Sequence, residues 1–203
     1  MPSPSQHDTL GSLELVDVPA GLCALDALVK EAEITLYFAG DIDPGRFWVL
    51  FGGDVASCEA ALLRAIAQGG RDVVETLLLP QAHHLLRAAL TGSLQVATTQ
   101  QELSLGIVQC HTPTSTLAAV GRALKAAEVT LVRLRVAAEL AGQGHAVLSG
   151  EQHDIEAALQ AAQQGAPTGV VVRTRQIARP AAEVYAAANQ RPRGARALTP
   201  LDP

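Results

Sequence analysis

Lys30-Glu31-Ala32-Glu33-Ile34-Thr35-Leu36 returns, about 95 residues on, as Lys125-Ala126-Ala127-Glu128-Val129-Thr130-Leu131. Five of the seven positions are identical, one is an Ile/Val exchange, and only Glu31/Ala126 differs in kind. Solenoid repeats run to roughly 20–50 residues, so a period this long marks a duplicated domain. The register extends outward on both sides. Leu10-Gly11 matches Leu105-Gly106, and the stretch from Gly53-Asp54 to Leu62 matches that from Gly150-Glu151 to Leu159. Pro80 then matches Pro180. The growing offset places two small insertions in the second copy, near Ala141-Gly142-Gln143 and near Gln164-Gly165-Ala166-Pro167. Lengthening a surface loop costs little, so insertions collect there.

Each copy reads as strand, helix, strand, strand, helix, strand. In the first, Leu13–Val16 is a short strand and Asp17-Val18-Pro19 opens a helix, with proline where its missing N–H does no harm. Leu22, Leu25, Leu28-Val29 and Ala32 recur at helical spacing and predict its apolar face. Ile34–Ala39 and Arg46–Phe51 are strands, joined by turn chemistry in Asp41-Ile42-Asp43-Pro44-Gly45. Asp54 caps a second helix with Val55, Cys58, Ala61-Leu62 and Ala65-Ile66 on its buried side, and Val73–Leu79 is the fourth strand. The second copy starts its first helix at Thr112-Pro113 and ends on a strand over 169–177. Gln81–Leu90 reads as a short helix. Domains are expected over 10–90 and 104–189, with a linker over 91–103. The Pro- and Arg-rich stretch over 190–203 lacks apolar periodicity and reads as a disordered tail.

Composition narrows the function. The chain of 203 residues is 48% hydrophobic but only 3% aromatic, so its core is Ala, Leu and Val. Small side chains bury little area each, which favours burying more surface against neighbours. The net charge is -5 without a basic stripe, against a nucleic-acid partner. Cys23, Cys58 and Cys110 are odd in number and form no CxxC, which points away from a disulfide framework or a zinc site and fits a reducing cytosol. Residues 1–8 lack the regions of a signal peptide, and no apolar run reaches the roughly 18 residues of a membrane span. The expected location is cytoplasmic.

Leu-Gly at the strand start, Lys-x-Ala-x-[Ile/Val]-Thr-Leu after the first helix, Gly-Gly-Asp-Val before the second and Ile177-Ala178-Arg179-Pro180 at the end resemble a bacterial microcompartment (BMC) shell domain. Two in tandem resemble the PduT type of shell protein. The resemblance implies an α+β, ferredoxin-like fold in each copy: a four-stranded antiparallel sheet flanked by helices. It implies a non-enzymatic tile, a pseudohexameric homotrimer that packs edge to edge with other microcompartment shell proteins and passes small metabolites through an axial pore. Its edge lysine falls on Lys30 and Lys125 and its edge arginine on Arg179, where the first copy has Leu79. A lysine near a helix C-terminus is also favoured by the macrodipole alone.

In the PduT type, the loop between the second and third strands carries Cys-Pro-Gly, whose cysteines hold an iron–sulfur cluster on the axis. Here the matching residues are Asp43-Pro44-Gly45. Such clusters need thiolate ligands, so no cluster and no other cofactor is expected. A trimer would instead gather Asp43, with Asp41, Ile42, Pro44 and Gly45, around an anionic opening. The plain role of Asp43, starting a Pro-Gly turn, stays open beside it. No catalytic set is visible. His83-His84 lacks a third ligand at metal spacing, and Cys110-His111 are strand neighbours pointing to opposite faces. Cys23 and Cys58 are expected in the core, and Gly142-Gln143-Gly144 reads as a flexible insertion. The rival function is a small-molecule-binding regulatory protein built from the same duplicated domains.

Overall fold

The structure, a computed structural model, describes residues 8–95, 103–137, 140–164, 166 and 169–189. Most of the expected linker and the whole expected tail lie outside these residues. The chain divides after Ala82 into two compact units.

The first unit runs β1 (Thr9–Leu15), α1 (Val18–Glu31), β2 (Thr35–Ile42), β3 (Arg46–Gly53), α2 (Val55–Gly69), a single 3₁₀ turn (Gly70–Asp72) and β4 (Val73–Leu79). The second begins with α3 (His84–Leu90) and repeats the series as β5 (Ser104–Cys110), α4 (Pro113–Ala126), β6 (Thr130–Val136), β7 (Gly144–Gly150), α5 (Gln152–Gln164) and β8 (Val172–Ile177), followed by α6 (Ala182–Asn189). Both sheets are antiparallel, in the orders β2-β3-β1-β4 and β6-β7-β5-β8. This is the split βαβ arrangement, in which each crossover helix returns over the same face. Even the irregularity is duplicated: the pairing slips between Leu36 and Phe38 in one unit and between Leu131 and Arg133 in the other.

Capping starts the helices where the sequence indicates. The Asp17 carboxylate accepts from the Ala20 amide at 2.8 Å, and the Thr112 hydroxyl accepts from the Ser115 amide at 3.0 Å. Both helices carry proline in their first positions. Asp54 caps α2 through the Ser57 amide at 3.0 Å, and hydrogen bonding from the Ser57 side chain, then from that amide, holds its carboxyl below the ordinary value.

Alternation along each strand sorts the core. Leu13, Leu15, Phe47, Val49 and Phe51 face α1 and α2 and pack with Ala24, Leu28, Cys58, Ala61, Leu62 and Ala65. The repeated Leu-Gly has a steric origin on this face. A Cβ on Gly11 would overlap the Phe51 ring, and one on Gly106 would sit 3.0 Å from Ile155.

Four details differ from the sequence reading. On α1 the buried residues are Gly21, Ala24, Ala27 and Leu28, while Leu22 and Val29 are exposed. Small residues win that face because α1 lies close over the Phe47 ring, where any Cβ on Gly21 would overlap it. Val55 at the start of α2 is exposed, one turn before the helix meets the sheet. Cys23 is exposed rather than in the core. Finally, α3 packs on β6 and α4, so the helix expected to close the first domain belongs to the second unit.

Candidate functional site

The two repeat lysines occupy matching places, in the last turns of α1 and α4. The chain then breaks at Ala32 and Ala127, both extended, and enters β2 and β6. Both lysines are exposed, but their surroundings differ. Lys30 pairs with Asp26 one turn back at 2.8 Å, an exposed contact of about 0.3–0.5 kcal/mol. Lys125 borders an open cleft of about 650 Å³ with His83, His84 and Thr130. His83 caps α3, its Nδ1 accepting from the Leu85 amide at 3.3 Å, with the two imidazoles 4.4 Å apart. Burial, His84 and Lys125 all push the His83 imidazole below its ordinary value. Among the described residues, no three His, Cys, Asp or Glu side chains converge as a metal site.

Arg179 is exposed, at a left-handed bend with φ 47° just beyond β8. Sheet register corrects its presumed counterpart. Leu79 lies opposite Leu10, and the residue opposite Leu105 is Ile177. Leu79 therefore matches Ile177 and Pro80 matches Ala178, so the position equivalent to Arg179 is Gln81, which shares its left-handed backbone with φ 51°. Pro80 and Pro180 are thus not counterparts; Pro180 matches Ala82.

The β2–β3 turn closes with the Gly45 amide donating to the Ile42 carbonyl at 2.9 Å. Gly45 has φ 87°, which glycine adopts without strain, and the Asp43–Pro44 bond is cis. Asp41, Asp43, Pro44 and Gly45 are exposed, whereas Ile42 is buried and does not reach the loop surface. The corresponding turn of the second unit is longer. Gln143 Oε1 accepts from Gln109 Nε2 at 2.6 Å, which ties that loop to β5. Gly144 is the first residue of β7 rather than part of an insertion, and a Cβ there would overlap the Thr116 hydroxyl. Cys110 is buried at the end of β5 while His111 is exposed, so they form no reactive pair.

Sequence reasoning passed over one feature, the second face of the second sheet. Arg133-x-Arg135 on β6 and Arg173-x-Arg175 on β8 both alternate onto the side away from α4 and α5. His145 on β7 stands between them, opposite both Arg135 and Gln109. Burial, then Arg133 and Arg135, hold its imidazole below the ordinary value. The signal was available as two Arg-x-Arg pairs on edge strands.

A BMC-domain family model matches residues 9–82 and 104–180, one copy in each unit. The chain belongs to the BMC-domain family, as a tandem-domain shell protein of bacterial microcompartments, structural rather than catalytic. It is 33% identical over 172 residues to the microcompartment shell protein PduT of Citrobacter freundii, covering 84% of this chain and 92% of that one. The carboxysome shell protein CcmK1 of Thermosynechococcus vestitus is 31% identical over 85 residues, 40% of this chain and 75% of that one. In fold, the chain matches a microcompartment protein from Desulfitobacterium hafniense DCB with TM-score 0.70 at 24% identity, over 88% of this chain and 98% of that one. A fused, permuted hexameric shell protein, MSM0275 of the RMM microcompartment, matches with TM-score 0.58 at 20% identity, over 76% and 82%. No described helix is long and apolar enough to cross a membrane.

Proposed function

We propose that three copies of this chain form a pseudohexagonal tile of the shell, with Lys30, Lys125 and Arg179 on its packing edges and the β2–β3 turns around a narrow axial pore. The observation that carries this reading is the duplication itself. One fold occurs twice, each time with an exposed lysine at the end of its first helix. Three chains then supply six lysine-bearing sides. A lysine suits an edge because its stem covers apolar surface while its ammonium donates to a neighbour's carbonyls. The turn suits an axis because Asp41 and Asp43 are exposed on a tight, glycine-closed hairpin end. Gathered by threefold symmetry, their carboxylates favour cationic or hydrogen-bonding metabolites over anions. Position 43 offers a carboxylate where the PduT type has a thiolate, so the pore is read as a passage without an iron–sulfur cluster.

Sedimentation and electron microscopy of the purified protein test the tile. Trimers that assemble into flat sheets, and lose the sheets on Lys30→Ala/Lys125→Ala, are the expected result. Discrete particles that never tile, alone or with partner shell proteins, favour the rival sensor reading. For the pore, Asp43→Ala in reconstituted shells should reduce the preference for cations over anions; unchanged ion selectivity overturns that role.

A further inference from the structure

Helix α3 is the shortest of the described α-helices, and its start is held by an imidazole. Seven residues are well below the length at which a helix is stable alone, so α3 depends on its caps and on the burial of Leu86 and Leu90. Helices α1, α2 and α4 are capped by Asp17, Asp54 and Thr112, whose carboxylates and hydroxyl remain acceptors around neutrality. His83 caps α3 through Nδ1, which accepts from the Leu85 amide. Only a neutral imidazole has an acceptor nitrogen; in the imidazolium both nitrogens donate. The neighbouring anchors do not titrate. Before the cap, the Ala82 amide donates to the Asp8 carbonyl at 2.7 Å. At the far end, the Thr91 amide and hydroxyl donate to the Arg87 carbonyl at 3.0 and 3.1 Å, and the Ser93 amide donates to the Ala88 carbonyl at 2.9 Å.

From this we infer that α3 is an acid-released clasp: a proton taken up at Nδ1 of His83 breaks the cap, and α3 opens away from α4 and β6, widening the cleft beside Lys125. The surroundings favour release once the proton is on. His84 stacks on His83 with ring centroids 4.4 Å apart, and Lys125 lines the same cleft. A protonated His83 also puts positive charge at the positive end of the α3 dipole. Arg87 lies on α3 itself; Arg122 and Lys125 on α4 and Arg133 and Arg135 on β6 complete the cations of the elements packed against it. The guanidinium of Arg122 is engaged by the Ala161 and Ala162 carbonyls. Glu128, exposed at the cleft, is the one acid among these groups, and it does not offset them: burial, His84 and Lys125 together hold His83 below its ordinary value. Opening α3 returns the imidazole towards that value, so the open form binds the proton more tightly and acid favours opening.

Hydrogen exchange of the full chain, read by mass spectrometry on fragments covering α3 and α5 and corrected for the intrinsic pH dependence of exchange, tests the clasp. Between pH 7.5 and 5.5 the protection of the α3 amides should fall at least about threefold relative to those of α5, the scale of a lost cap. In His83→Asn the side-chain oxygen caps without titrating, so the ratio should stay level. His83→Ser, a second cap of that kind, serves if the first variant does not fold, and circular dichroism checks both. Protection of α3 that is equal at the two pH values in the wild type overturns the inference. So does a fall in the folded Asn or Ser variant as large as in the wild type, because His145 and the other titrating groups are intact there.

Discussion

Beneath the first helix of each unit lies one position that must be small. In the first unit it is Gly21 on α1, with the Phe47 ring against it; in the second it is Gly144 on β7, with Thr116 of α4 against it. Gly21 matches Thr116 and Phe47 matches Gly144, so volume has moved across one contact without changing in kind. Gly144→Phe should therefore cost at least about 1–3 kcal/mol, the range for overpacking a filled core. Urea unfolding of the full chain measures it, and a midpoint unchanged from wild type defeats the explanation. Thiols offer a second check at this scale. Burial, with Asp54 nearby, pushes the Cys58 thiol up to about 11, and Cys110 is buried, whereas Cys23 is exposed. At pH 8 an aromatic disulfide reagent should modify Cys23 quickly and the other two only on unfolding. Rapid labelling of Cys58 in the native protein contradicts that burial. The position of Cys23 was not legible in the sequence, because both sides of α1 carry apolar residues and only the close approach to Phe47 selects the small ones.

Elements were far more legible than contacts, and the repeat explains why. A strand or cap seen faintly in one copy is seen again in the other, so Thr112-Pro113 could be read from Asp17-Val18-Pro19. Thr112→Ala should cost about 1 kcal/mol through loss of the α4 cap. Thermal unfolding measures this, and Thr112→Ser should restore most of the loss. The second unit also has a device that the first lacks. Arg122 of α4 donates to the carbonyls of Ala161 and Ala162 at 3.3 and 2.9 Å, closing the end of α5. Arg122→Met keeps the stem but leaves those carbonyls without this donor, and should cost about 1–3 kcal/mol in the same measurement. Register was less legible where the copies differ in length. Aligning Pro80 with Pro180 displaced β8 by two residues, because the two prolines are not counterparts and Pro180 matches Ala82. Likewise α3 is short and its neighbours are β6 and α4, distant in sequence, so nothing local assigns it to a unit.

For the whole molecule, duplication fixed the architecture and divergence of the copies set the electrostatics. The acid response should show this. His145 has its imidazole held below the ordinary 6.5, so as pH falls through that value the unfolded chain takes up a proton before the folded one. Stability is therefore full above about pH 6.5 and declines below it. Urea midpoints at pH 7.5 and 5.5 should differ less in His145→Gln than in wild type; an equal drop in both places the acid sensitivity elsewhere. The exchanged volumes at Gly21 and Gly144 carry a consequence of another order. Two tandem halves with similar genes are open to recombination with each other, and such exchange tends to keep duplicates alike. Here a crossover that paired the helix of one half with the strand of the other would bring Thr116 against Phe47, an overfilled contact, or Gly21 against Gly144, a void. Each such hybrid starts life mispacked. Only exchange that carries helix and strand together keeps the contact filled, so the two positions are tied to each other within each half.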